Sequence, residues 1–212
     1  MQETSRVHYL PLFLFLLWLA PLAQAQYISV GGGGLFSQDL STAPPAGAFG
    51  GPAQSEFSNT GILAVDAGIG FFPFLAAGLH YSYARPELFL RRGDAFGSSA
   101  RADLGAHTLT FEARVRTPQI AGFRLYGLGG VGFSRFALDV KQAVEIPFPG
   151  GAPDNVLSAV ASVGGGIEKS VAPLVHLKLE ARDYITPISE QFFRPGGTWH
   201  RTAIIGGIVL GR

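Results

Sequence analysis

Cysteine is missing from all 212 residues, which rules out disulfides, thiolate metal centres and thiol nucleophiles. An exported chain without cross-links must draw its stability elsewhere, and a closed hydrogen-bonded barrel in lipid supplies a source. Charge is scarce as well. Asp, Glu, Lys and Arg make up 15% of the chain, against an average of roughly 25%. The net charge is +1 and no basic patch dominates, so no nucleic-acid partner is expected. Beyond residue 26 no apolar run approaches the ~20 residues of a spanning helix. A membrane position would therefore have to be built from strands. His-x-His and His-x3-His spacings do not occur, and neither a metal nor a cofactor is expected.

Glycine is abundant, at 29 residues, and 47% of the chain is hydrophobic. The first 25 residues read as a secretory leader. Arg6 gives a short basic start, Leu10 to Leu22 an apolar stretch, and Ala23-Gln24-Ala25 a small-residue cleavage site. An uncleaved anchor is the alternative, but the run is short and Pro11 and Pro21 bracket it. The expected organisation is a signal peptide over 1–25 and one barrel domain over 26–212.

The rest of the chain alternates with period 2 rather than 3.6. In Val175 to Arg182, Val175, Leu177, Leu179 and Ala181 point one way and His176, Lys178, Glu180 and Arg182 the other. Leu109, Phe111, Ala113 and Val115 likewise alternate with Thr110, Glu112, Arg114 and Arg116. Leu63, Val65, Ala67 and Ile69 oppose Ile62, Ala64 and Asp66, while Leu79, Tyr81 and Tyr83 oppose His80 and Ser82. Phe123, Leu125, Val131 and Phe133 oppose Arg124, Tyr126 and Ser134; Leu157, Ala159, Ala161, Val163 and Ile167 oppose Ser158, Ser162 and Glu168. In the last segment Ile204, Ile208 and Leu210 oppose small residues and Arg201. The facing of Tyr27 to Leu35 stays ambiguous because glycine fills it.

Short and long connections alternate. Phe72-Pro73-Phe74, Thr117-Pro118-Gln119 and Val171-Ala172-Pro173 are brief. Ser37 to Phe57, Arg85 to Arg101, Phe136 to Asn155 and Thr186 to Thr198 are long and polar or rich in Gly and Pro. This is the rhythm of a closed antiparallel up-and-down transmembrane β-barrel of about eight strands, each of ~10 residues. A soluble lipocalin-like ligand-binding barrel would share the alternation with its faces inverted. The polar face argues against that, because it carries Gly, Ser and Ala with few charges, whereas a solvated wall is rich in Lys and Glu. Phe71, Phe74, Tyr81, Tyr83, Phe123, Phe133 and Tyr184 are expected to form interfacial girdles.

With the leader, the strand rhythm and the segment Leu177-Lys178-Leu179-Glu180-Ala181-Arg182-Asp183-Tyr184, the chain resembles the small outer-membrane β-barrels of the outer membrane protein A and X type. The resemblance spans 26–212. It implies a location in the outer membrane of a Gram-negative-type bacterium, with membrane lipids and lipopolysaccharide as partners, surface ligands at the long loops, and a monomer. The family's usual terminal aromatic residue is replaced here by Ile208-Val209-Leu210-Gly211-Arg212.

If the bulky face meets lipid, the ionisable residues share the interior. The expected lumen network comprises Asp66, His80, Glu112, Arg114, Arg116, Arg124, Glu168, His176, Lys178, Glu180 and Arg182. Charges so confined must pair, since an isolated buried charge is very costly. Glu112, Glu168 and Glu180 are the expected anions, and Arg114, Arg124, Lys178 and Arg182 their partners. The expected role is a structural or surface-interacting barrel with a plugged lumen; a gated ion path is the functional alternative. A lipid A-modifying enzyme would need Ser, His and an acid at the outer rim. By inventory His107 with Ser98 and Ser99, or His200 with Ser189 and Glu190, qualify, but neither forms a compact motif, and no catalytic residue is assigned. Gly31-Gly32-Gly33-Gly34 lacks the Lys-Ser/Thr and helix of a phosphate loop and is expected to serve strand curvature and close packing. Arg91-Arg92 is expected to be a solvated pair, with lipopolysaccharide phosphates the alternative contact.

Overall fold

A computed structural model describes residues 26–42, 53–92, 99–142, 155–187 and 198–211. The leader 1–25, and with it the expected cleavage site, lies outside the described residues. Eleven β-segments follow one another: β1 (Gln26–Ser37), β2 (Leu40–Thr42), β3 (Ala53–Phe57), β4 (Thr60–Phe72), β5 (Leu75–Ala84), β6 (Glu87–Arg92), β7 (Ser99–Arg116), β8 (Phe123–Gln142), β9 (Asn155–Ala172), β10 (Val175–Pro187) and β11 (Thr198–Gly211). β2 extends β1, β3 leads into β4, and β6 extends β5, so the eleven make eight staves. Every pairing is antiparallel, and the β7–β8 and β1–β11 ladders close the ring. Among the described residues the eight staves pair all the way round the ring, and only the short extension β2 has a neighbour on one side alone; a ring without an edge is the condition a β-structure must meet in hydrocarbon.

The alternation in the sequence becomes the two faces of the wall. Leu63 and Val131 stand 66% and 67% exposed on the outside, while Arg114 and Arg182 are 1% exposed within. The outer face is a continuous apolar surface of Val30, Leu79, Phe111, Leu157, Leu179, Ile204 and Ile208 among others. A soluble barrel has its apolar face inside, so this arrangement excludes the lipocalin-like alternative. β1 takes the same parity, with Tyr27, Ser29 and Leu35 inward and Ile28 and Val30 outward.

Tight turns close one end. Pro73–Phe74 joins β4 to β5 and Pro173–Leu174 joins β9 to β10. The β7–β8 turn spans 117–122 and bends through positive φ at Ala121 (51°) and Gly122 (82°). Gly31–Gly34 lie within β1, paired to β11 on one side and β4 on the other, with no helix following. Inward glycines make room for lumen side chains. A Cβ on Gly130 would lie 2.7 Å from Glu112 Cγ, and one on Gly166 would lie 2.7 Å from Tyr126 Oη.

Three expectations need correction. The staves run farther than ~10 residues, with 20 in β8 and 18 each in β7 and β9. Much of the expected long connections is therefore strand: β2, β3 and β6 lie in them, as do the start of β7 and the end of β8. Beyond the bilayer the outer face need not be apolar, so alternation fades while the hydrogen-bond ladder continues. Tyr184 belongs to no girdle. Its parity on β10 turns it inward, 1% exposed. The inward face is also less uniformly polar than its pattern suggested, since Leu35, Ile62, Val160 and Ile205 are buried there.

Candidate functional site in the barrel lumen

Adjacent staves direct their charges to one place. Asp66 on β4 faces His80 on β5 in register, and Lys178 and Glu180 come two residues apart on β10. Asp66 is the hub. Its Oδ1 accepts from His80 Nδ1 at 2.6 Å, its Oδ2 accepts from Ser29 Oγ at 2.8 Å, and Lys178 Nζ contacts the same Oδ2. His80 Nε2 meets Tyr184 Oη at 2.7 Å.

A second knot forms around Arg182. Its guanidinium grips Glu112 with both Nη atoms, Nη2 lying 3.1 Å from Oε2. It also reaches Glu180, with Nε donating to Oε1 at 3.0 Å. Glu112 accepts further bonds from Thr110 Oγ1 (2.7 Å) and Ser162 Oγ (3.1 Å), and Glu180 accepts one from Tyr126 Oη (2.7 Å). Arg114 links the knots, 3.9 Å from Asp66, 3.7 Å from Glu180 and 3.6 Å from Glu168. Its guanidinium also lies against the rings of Tyr126 and Tyr27. Charge-assisted, multiply bonded groups of this kind repay desolvation better than isolated pairs do.

Of the residues singled out from sequence, Asp66, His80, Glu112, Arg114, Glu168, Lys178, Glu180 and Arg182 therefore meet in one cluster. Arg116, Arg124 and His176 stay apart from it, toward the end closed by the tight turns. Arg116 stacks 4.8 Å from the Tyr27 centroid. Arg124 is half-buried, opposite Glu168 in register, and its Nε has no acceptor. His176 is half-buried and donates from Nε2 to the Gly211 carbonyl at 3.3 Å. Arg124 does not pair with the expected anions, and Asp66, absent from the expected anions, makes the most cross-stave contacts. The sequence reading also left Ser29, Thr110, Ser162 and Tyr126 without a role. Inward parity was their available signal, but small hydroxyl residues do not stand out among glycines.

Asp66, His80 and Glu112 hold ligand-type atoms within 4.8 Å of one another. Lys178 and Arg182 already occupy the carboxylate oxygens there, and a metal cation would meet both positive charges at contact range.

On the outer wall, His107 Nδ1 lies 2.8 Å from Tyr81 Oη and the ring sits against Tyr83. His200 Nδ1 donates to Asp183 Oδ2 at 2.7 Å, and its Nε2 lies 3.3 Å from Thr198 Oγ1. The two histidines belong to β7 and β11, which stand on opposite sides of the ring. Ser98, Ser189 and Glu190 lie outside the described residues. Arg91 and Arg92 fall in β6, paired with β3.

No protein-family model matches the sequence, and no curated protein is detectably similar to it. Solved structures are. The barrel is similar to that of Neisserial surface protein A (NspA), at 12% identity over 88% of this chain and 97% of that one, with a TM-score of 0.56. It is also similar to the outer membrane protein OprG from Pseudomonas aeruginosa, at 12% identity over 88% of this chain and 96% of that one, with a TM-score of 0.52. Identity this low carries architecture, not activity. The closed ring of eight staves, the apolar wall and these two likenesses show that the chain has the fold of the small outer-membrane β-barrels.

Proposed function

We propose that the protein is a closed, non-enzymatic outer-membrane barrel whose work is done at the cell surface while its lumen is locked by charge. The observation that carries this reading is the bonding of Asp66, His80, Glu112, Lys178, Glu180 and Arg182 across the interior, reaching from β4 and β5 to β10. An eight-stranded barrel has room for side chains alone, and here large ionic ones fill it. A lock of this kind holds the wall rigid against lateral pressure and leaves the outer connections as the variable, ligand-meeting part. Membrane lipids and lipopolysaccharide are the partners of the wall. The separation of His107 from His200 supports a non-enzymatic role.

Reconstitution of the purified protein into planar bilayers tests the lock. The expected result is no stable conductance step above the bare membrane. Regular, ion-selective steps would overturn it and favour the gated ion path.

A further inference from the structure

A further inward cation lies outside the lumen network, at the barrel end away from the tight turns. Arg201 faces inward on β11 at 2% exposure, and among the described residues no carboxylate forms an ion pair with it. Asp183, next to its register partner Tyr184, points out through the wall to His200. Asp103, also buried, is 3.0 Å from Arg85. The hydrogen bonds of Arg201 both come from Nη2, to Ser134 Oγ at 3.0 Å and Thr186 Oγ1 at 3.2 Å. Its Nε is buried without an acceptor, and so is the indole Nε1 of Trp199 beside it. The rings of Trp199, Phe136 and Tyr184 surround the guanidinium carbon at 4.9, 5.0 and 5.5 Å.

Cation–π contact offsets part of the cost of burying this charge, but it supplies no acceptor. Buried donors in native proteins nearly always have one. Two orphaned donors side by side, one carrying a full positive charge, form a site short of an anion. Its surroundings define the rest of the ligand. Phe57, Leu88, Leu104, Ala106, Phe136 and Trp199 pack into one apolar cluster at the barrel end away from the tight turns. Phe57 and Trp199 pack against each other there, with centroids 4.5 Å apart and the rings tilted by 32°.

We propose that Arg201 and Trp199 receive the carboxylate of an amphiphilic monoanion entering from the outer mouth, its apolar tail lying among Phe57, Leu88, Leu104 and Phe136. Nε of the guanidinium and the indole N–H are the two open donors, one for each carboxylate oxygen, and the guanidinium charge strengthens the first bond. A neutral amphiphile offers the tail without the charge, and an ammonium amphiphile meets repulsion. Inorganic phosphate offers charge without a tail. Entry requires Phe57 and Trp199 to part, so the ligand reports itself through the indole. The charged cluster around Asp66 and Arg182 adjoins this site through Tyr184, but binding here requires no passage through that cluster and does not depend on whether it conducts.

The chain has two tryptophans, Trp18 and Trp199; Trp18 falls in the expected leader, and Trp18→Phe keeps Trp199 the sole tryptophan whether or not that leader is removed. In nanodiscs of zwitterionic lipid, titration with octanoate is expected to give a saturable change in Trp199 emission. Octanol and octylammonium are expected to act about tenfold more weakly or not at all. Arg201→Gln should lose the octanoate response by a similar factor, and Arg201→Lys should keep part of it. Arg135→Gln, on the outer wall, should leave it unchanged. A heat-shifted band on cold SDS gels establishes that each variant is folded. An octanoate response that fails to saturate, that octanol equals, or that survives in Arg201→Gln overturns the proposal. If Arg201→Gln does not fold, the octanoate–octanol comparison on the parent chain decides the question by itself.

Discussion

Replacing Arg182 with Met puts the lumen network under its sharpest load. The side chain is fully buried, and its guanidinium is bonded to both oxygens of Glu112 and to Oε1 of Glu180. Met fills comparable length without charge and adapts to irregular space, so the loss is electrostatic rather than a cavity. Removing one member of a buried ionic group costs about 3–5 kcal/mol, because the remaining charges lose compensation. Here each stranded carboxylate keeps other donors: Thr110 and Ser162 on Glu112, and Tyr126 on Glu180. Lys178 also remains 3.7 Å from Glu180. Those partners set the expectation at the lower end, about 3 kcal/mol, or roughly two decades in the folding constant. The assay is urea unfolding in large vesicles, followed by Trp199 emission in the Trp18→Phe background. The double variant Arg182→Met/Glu112→Gln removes the stranded charge and should regain at least about 1 kcal/mol over Arg182→Met alone. The reasoning fails if Arg182→Met lies within about 0.5 kcal/mol of the parent, or if the two substitutions simply add.

Two further substitutions test the wall. Leu179→Arg puts a charge on the lipid-facing side of β10 and should cost about 2–4 kcal/mol in the same unfolding assay; a neutral result would argue against burial of that face in a bilayer. Gly130→Ala drives a Cβ to 2.6 Å from the Phe111 carbonyl oxygen and 2.7 Å from Glu112 Cγ. It should destabilise by about 2 kcal/mol, while Gly206→Ala, whose Cβ would meet nothing within 4 Å, should stay within about 0.5 kcal/mol. Equal effects at the two glycines would contradict the close lumen packing beneath Glu112.

The outer mouth and the barrel centre solve the burial of charge differently. In the centre, anions and cations neutralise one another, Asp66, Glu112, Glu180 and Arg182 with several contacts each. At the mouth, Arg201 relies on three aromatic rings and two hydroxyls. The first arrangement balances its charges, although Arg114 Nε and Nη1 and Glu168 Oε1 have no hydrogen-bond partner, so perturbing it registers as lost stability. The second leaves donors open, so it registers as affinity for something not yet bound.

The sequence by itself determined the eight staves at the level of the bilayer, the two faces of all but the first, and the sense of those faces; how far the staves continue beyond the bilayer it did not show. Side chains leave a β-strand alternately, so the order Leu177, Lys178, Leu179, Glu180, Ala181, Arg182 already says that the leucines share one side and the charges the other. The scarcity of charge on the polar side then said which side meets lipid. Tertiary structure alone decided which charges meet. Lys178 reaches Asp66 across a separation of 112 residues and Arg182 reaches Glu112 across 70. Those meetings follow from the stagger of staves around a closed ring, which no local pattern encodes. It alone decided the fate of Tyr184 and Arg201 too. Parity turns both inward, but whether an inward side chain finds a counter-charge, a ring or an unfilled acceptor position depends on the staves facing it across the lumen.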